Sequence, residues 1–369
     1  MPSGRWTVAI IATSAILLVG VVAGLLRLLP IGAKDTGEPR LVFAAFGETS
    51  DLIYVAPATQ PDERTVVDTV QHAEGWGLNP GTMSGSRLTY IVIPTGTPAQ
   101  RGAPAELWLL DINTREKTRL ARDADLLVKP QFVAGGKAIL YRRSDGERQE
   151  IVRVEIDTQA RTSIYEERTA FGIFPIGLDA SDSLLFARLS NTGTDVFLKR
   201  DTTNPVLAFH ASDEIARDWQ LSPDRRALAF LAPVSKAERV VYRAQVMSLE
   251  TGRVTTLPEV TANGEQYGPT WTPDGADLAV GQEPAGQLAA PVALLRPGTT
   301  PTALPAPERG FDVPVAWSAG ATYLAARTFD GQNSTNAGRE SAVVIATNGK
   351  RYPVSAPGEV ILVGWLPNA

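Results

Sequence analysis

The sequence predicts an all-β fold, a β-propeller of seven four-stranded blades following one N-terminal transmembrane helix. Two observations carry that expectation. A unit with an aromatic start and a tight turn recurs through the chain, with intervals of 52, 46 and 48 residues separating Trp219, Trp271, Trp317 and Trp365. Near the N-terminus, 21 residues from Trp6 to Leu26 carry no charge.

Composition sets the outer bounds. The chain has 369 residues, 44% hydrophobic and 20% charged, which is the balance of a folded, water-exposed protein. Its 32 glycines and 27 prolines are scattered between short apolar runs, as many short strands joined by turns require. A net charge of −5 argues against a general nucleic-acid surface, which needs cations to offset phosphates. With no cysteine, disulfides, thiolate zinc sites, thiol catalysis and a lipidated cysteine are all excluded.

The uncharged N-terminal run is long enough, at 1.5 Å per residue, to span a hydrocarbon core of roughly 30 Å. A secretory signal has a shorter apolar core and a small-residue cleavage site, and Ile31-Gly32-Ala33 is a poor one. The expectation is an uncleaved anchor: a tail at 1–5, a membrane helix at 6–29, a linker at 30–39 and the propeller at 40–369. Arg5 precedes the span, and Arg27, Lys34 and Arg40 follow it, which by charge alone keeps the C-terminal side in the cytoplasm. A very short tail ahead of a long domain has the opposite meaning, the layout of a signal anchor. The propeller is therefore expected on the extracytoplasmic side, in a bacterial cell envelope.

The repeat is clearest in three copies. WQLSPDRRALAF at Trp219–Phe230, WTPDGADLAV at Trp271–Val280 and WSAGATYLAA at Trp317–Ala326 are each followed by a further alternating strand. Proline at 223 and 273 presets φ for the turn, Asp224 and Asp274 can bond backbone amides, and Gly275 tolerates positive φ. Weaker copies start at Trp76, Phe132 and Ile176. Four antiparallel strands in roughly 40–50 residues is the size of one propeller blade. The ends complete the count. Residues 360–365 read as an opening strand with no successors, and 41–46, 52–56 and 65–70 read as three strands with no opening strand. Joined, they form a seventh blade and leave no open edge in the ring. Trp76, Trp219, Pro223, Asp224, Trp271, Pro273, Asp274, Gly275, Trp317 and Trp365 are thus the blade-motif residues.

The W-x-P-D-G motif followed by a short apolar strand resembles the TolB-type β-propeller repeat, a relative of WD-repeat propellers, over residues 38–369. The resemblance implies the fold. It implies little about function, because such propellers serve as docking platforms, ligand binders and enzyme accessory domains. The turns before Lys137 and at Ser318-Ala319-Gly320 depart from the motif by lacking the aspartate. No helical domain of the kind TolB carries precedes the repeats, so no Tol-system role is carried over.

Little catalytic chemistry is legible. The two histidines, His72 and His210, fall in different blades, and no G-x-S-x-G elbow or phosphate-binding glycine loop occurs. The Asp330–Asn336 stretch lacks the ligand spacing of a calcium loop, so no metal and no cofactor are expected. What remains are three long loops, Thr95–Ala105, Val234–Arg239 and Phe329–Arg339, on the face where second-to-third-strand loops and blade connectors meet. Their polar residues Arg101, Lys236, Glu238, Asp330, Asn333 and Arg339 are the binding candidates. The expected role is a tethered, non-catalytic module that docks a protein or envelope component. The alternative is an enzyme, or a small-ligand or metal binder, at the channel mouth.

Overall fold

The structure, a computed structural model, describes residues 37–98, 100, 102–201, 203–236, 239–260 and 264–367. The expected anchor at 6–29 lies outside the described residues. Among the described residues, no helix is long and apolar enough to cross a membrane.

Seven antiparallel sheets form the ring. Blades 1 to 6 run in chain order over 79–125, 131–168, 172–212, 217–256, 266–303 and 310–354. Blade 7 takes its innermost strand from Val360–Leu366 and the other three from Arg40–Ala45, Ser50–Pro57 and Thr65–Gln71. The closing pair is antiparallel, from Arg40 opposite Leu366 to Ala45 opposite Val360, with one irregularity at Val42/Phe43. A two-residue strand, Ala289–Ala290, runs parallel to Gly310–Phe311 and adds a short fifth strand to blade 6.

The core is divided as the ring is. Seven clusters of buried apolar side chains each fill the space between two neighbouring blades; Leu228, Phe230 and Met247 of blade 4, for example, pack on Leu185, Ala187 and Val196 of blade 3. Inner and middle strands are covered on both faces, which is why they read as apolar runs such as LVFAA and ALAF and alternate poorly.

Strand register corrects two of the motif residues. Trp271, Trp317 and Trp365 sit opposite Leu278, Leu324 and Leu41. The same place is held in the other blades by Met83, Val133, Leu178 and Leu221, opposite Leu88, Ala138, Leu184 and Leu228. Trp219 is therefore two residues early, and it stacks on Phe230 at 5.1 Å. Trp76 is not in a strand: blade 1 opens at Asn79–Ser84, and Trp76 lies on the connector from blade 7. The position asks for bulk, which Leu and Met supply as well as Trp. Where the residue is Trp, its indole N–H can tie blades together. Trp271 Nε1 donates to Gln220 O at 3.0 Å, and Trp365 Nε1 donates to Ala316 O at 2.9 Å.

The turn after this position depends on a hydroxyl. Ser222 Oγ accepts the Ala227 N–H at 2.9 Å, Thr272 Oγ1 that of Asp277 at 3.0 Å, and Ser318 Oγ that of Tyr323 at 3.1 Å. Pro223 and Pro273 stand at the second position of their turns. Asp224 and Asp274 accept from these hydroxyls and from backbone N–H groups, which holds both carboxyls below the usual range. The blade 6 turn forms without an aspartate because Ser318 supplies the same acceptor. Gly275 takes the left-handed conformation at φ 69°, where blades 4 and 6 force Arg225 to 60° and Ala321 to 54°.

Buried polar side chains staple one blade to the next. Asp51 Oδ2 accepts the Leu78 N–H at 2.7 Å, Gln149 Oε1 that of Ile173 at 3.1 Å, and Thr194 Oγ1 that of Ala216 at 3.0 Å. Each acceptor lies beside its blade's second hairpin, and each donor opens the inner strand of the following blade. The staples thereby fix the loops that ring one end of the channel.

Candidate functional site

Antiparallel order puts the first and third turns of every blade on one face of the ring. The middle hairpins and blade-to-blade connectors lie on the other, here termed the mouth face. Both strands of the closing pair place residues 40 and 366 on the far face, so the ring begins and ends away from the mouth.

The three loops fare differently. Arg101 and Glu238 lie outside the described residues. Val234–Arg239 is not a long loop: the strand Ala227–Lys236 pairs without a break up to Lys236 opposite Arg239, because Val234, Val240 and Val241 continue the β pattern to the hairpin tip. The 330–339 loop is real, but Asp330 and Asn333 are spent folding it. Asp330 Oδ1 accepts the Arg339 N–H at 2.6 Å, and Asn333 Oδ1 accepts those of Thr335 and Asn336 at 3.1 and 2.8 Å. Arg339 is exposed.

Two of the regions converge on an acidic pair of blade 5 that carries no sequence signature. Arg239 forks onto Glu283 at 3.1 and 2.5 Å, and Glu283 Oε2 accepts the Glu265 N–H at 2.6 Å. Glu265 in turn takes Arg217 Nη2 at 3.2 Å, Tyr267 Oη at 3.3 Å and Ser334 Oγ, from the 330–339 loop, at 2.9 Å. Arg217 lies over the Tyr242 ring at 3.9 Å. Burial beside the two carboxylates holds the Tyr267 phenol above its ordinary value. Every oxygen of the pair is engaged, so this network ties blades 4, 5 and 6 together and leaves no base free.

Closer to the channel the pattern reverses. Asp218, on the inner strand Arg217–Leu221, holds φ at 57° and has only Arg217 near, at 4.0 Å. Its side chain is 47% exposed, yet surrounding protein holds its carboxyl above the usual range against the pull of Arg217, Lys129 and Arg327. Lys129, on the connector from blade 1 to blade 2, makes no hydrogen bond or ion pair with any described residue. Desolvation holds its ammonium below the ordinary value; Asp218 opposes that shift, and Arg327 adds to it. Arg327 itself forks onto Glu340. Groups from three parts of the ring thus act on one another electrostatically, with Asp218 held only loosely by Arg217. Arg243 of blade 4 is fully buried, with Glu259 3.3 Å away, and its guanidinium nitrogens donate no hydrogen bond to a described residue.

The histidines stand apart from this site. His72 is buried between Asp51 and the Ala73 carbonyl, and His210 lies on the outer strand of blade 3 between Asp195 and Asp213. Among the described residues, no three His, Asp or Glu side chains cluster in a way that could hold a metal ion.

Exposed apolar side chains also lie on the mouth face. Ten large hydrophobic residues are exposed among those described. Leu127, Phe171, Ile215 and Val260 lie on successive blade connectors, and Val240 and Leu288 at middle hairpins, all on the mouth face. The other four, Val66, Val206, Leu207 and Val254, lie on outermost strands. None is on a turn of the far face. The six form a crescent along blades 1 to 5.

No protein-family model matches the sequence, and no curated protein matches it. Solved structures share the fold at low identity. TolB from Acinetobacter baumannii is 14% identical, with 89% of this chain and 67% of that one covered at a TM-score of 0.51. Oligogalacturonate lyase from Vibrio parahaemolyticus is 11% identical, with 86% and 84% covered at 0.57. The β-propeller domain of the Trilobed protease from Pyrococcus furiosus is 10% identical, with 86% and 96% covered at 0.52. That domain has an open velcro topology, whereas here the first and last ring strands pair. In fold the chain is a TolB-like seven-bladed propeller, an architecture shared by proteins of different function.

Proposed function

We propose that this propeller is a non-catalytic docking module that presents its mouth face to a protein or envelope partner. It would be held at a membrane, on the extracytoplasmic side, by residues 6–29. The observation that carries the reading is the crescent of exposed apolar side chains on the mouth face and their absence, among the described residues, from the turns of the far face. Scattered exposed hydrophobics need no explanation, but their segregation to one face of a rigid ring marks an interaction surface. The ring's first strand begins at Arg40 on the far face.

The test is site-specific photo-crosslinking in cells. A crosslinker at Leu127, Ile215 or Leu288 should capture one shared partner, and a crosslinker at Arg253 or Lys350 on the far face should not. Ile215→Glu should abolish capture from Leu127. Equal capture from both faces, or none from the mouth, would overturn the proposal.

A second reading rests on Asp218, whose one ion pair among the described residues is the long 4.0 Å contact with Arg217, and on Lys129, which pairs with no described residue. They favour a small ligand bearing both an anionic and a cationic group, recognised inside the ring. Ligand-induced thermal stabilisation that disappears in Asp218→Asn and Lys129→Gln, with crosslinking unaffected, would favour this reading over docking.

A further inference from the structure

Away from the mouth, a groove of 440 Å³ runs between the outer strands of blades 1 and 2. Its wall is made by Arg119, Arg122 and Arg161 with Gln159, Leu120 and Ala121, and its charges are three arginines against one aspartate, Asp123. That is a local excess of positive charge on a chain whose net charge is −5. The volume falls in the range of small-molecule sites, roughly 300–1,000 Å³.

The three guanidiniums are held to different degrees. Arg119 is fixed by Glu106 at 2.5 Å and by the Trp108 ring at 5.5 Å. Arg161 reaches Asp123 at 3.3 Å with 47% of its side chain exposed, a pair of the kind worth about 0–1 kcal/mol and therefore easily redirected. Arg122 is exposed and bonds to no described residue. On the other side of Asp123 a smaller pocket of 240 Å³ also holds two arginines, Arg143 and Arg148, but there Asp145 and Glu150 face them. Only the Arg119–Arg161 side has cations in excess.

We propose that this groove is a binding site for a small oxyanion, the carboxylate or phosphate group of a ligand, gripped by Arg122 and Arg161 with Arg119 as a fixed wall. Planar guanidinium forks suit the paired oxygens of either group. Gln159 places an amide at the lip for the rest of the ligand. Asp123 is the built-in competitor: it occupies Arg161 until an external anion takes its place.

That competition gives a test with opposite signs. The full chain is titrated calorimetrically with inorganic phosphate and with citrate, against chloride at matched ionic strength. Binding of either above chloride is expected, and the stronger of the two names the phosphate or the carboxylate class. Arg122→Gln and Arg161→Gln should each weaken binding about tenfold, the loss of one charge-assisted hydrogen bond. Asp123→Asn should tighten it severalfold, and Arg253→Gln, outside the groove, should leave it unchanged. Neither anion binding above chloride, or the arginine variants binding as the parent does, would overturn the site. So would an Asp123→Asn variant that binds no more tightly.

Discussion

Replacing Asp51 by alanine should cost this fold far more than replacing any surface carboxylate. Asp51 is wholly buried, accepts the Gly47 N–H at 3.0 Å and the Leu78 N–H at 2.7 Å, and lies 3.1 Å from His72 Nε2. Alanine leaves the Leu78 and Gly47 N–H groups without this acceptor and removes the His72 contact, and each unsatisfied buried group costs roughly 1–3 kcal/mol. Allowing for some relaxation, the destabilisation should be about 3–5 kcal/mol. That is a large fraction of the 5–15 kcal/mol that typically holds a domain folded. Asp51→Asn keeps the size and one acceptor oxygen, so it should recover part of the loss. Asp62→Ala is the control, since Asp62 bonds only at the surface, to Ser355 Oγ and near Arg64, and should shift stability by less than about 0.5 kcal/mol. Urea unfolding of the full chain reads both, as a lower midpoint at unchanged slope. A loss below about 1 kcal/mol in Asp51→Ala would refute the reasoning, because the staple would then carry no more than one exposed bond.

Three further outcomes are expected. Asp218→Asn should slightly raise stability at pH 7 and match the parent below about pH 4, because desolvation by the surrounding protein raises the folded-state pKa of this half-exposed carboxyl above its unfolded value; the stability it contributes is complete below the ordinary aspartate range and is lost as pH rises through the folded value. Asparagine also accepts the positive φ at that position, so urea midpoints across pH isolate the charge. Ala321→Gly should stabilise by about 0.5–1 kcal/mol by removing a left-handed alanine from the blade 6 turn, visible as a higher Tm. His210 should titrate above its ordinary value, as its hydrogen bond to Asp195 and then that to Asp213 favour the charged ring. The stability it adds is present below the unfolded histidine pKa and fades as pH rises through the raised one. The ring is largely solvated, so the effect on unfolding is small, and NMR titration of the histidine ring signals is the measurement.

Blade number and closure were legible because both follow from local chemistry: turn residues at fixed spacing, apolar runs between them, and complementary fragments at the two ends. Register was less so. Trp219 drew attention as an aromatic start, but the place belongs to Leu221, and only the partner strand shows which of two apolar residues faces Leu228. Val234–Arg239 reads as a loop because Ser235, Lys236 and Glu238 are polar, although Ser235 and Lys236 still pair, with Val240 and Arg239. The site itself left almost no trace. Glu265, Glu283 and Arg239 meet only once blades 4 and 5 are side by side, and no spacing rule relates residues contributed by different blades. One signal was available: hydrophobic residues at connectors, such as Phe171 and Ile215, where turn chemistry alone would place polar ones.

The closing strand also dictates an order of events during synthesis. Arg40–Ala45 leaves the ribosome before any other strand of the ring, and its partner Val360–Leu366 leaves last. Until then blade 7 exposes the edge of Arg40–Ala45, with backbone groups that any passing strand can pair. Closure must therefore wait until Val360–Leu366 has emerged, and the early chain is a client for whatever shields exposed strand edges in the cell. Losing Val360–Leu366 would strip blade 7 of its innermost strand, at the seam where the first and last strands of the ring pair.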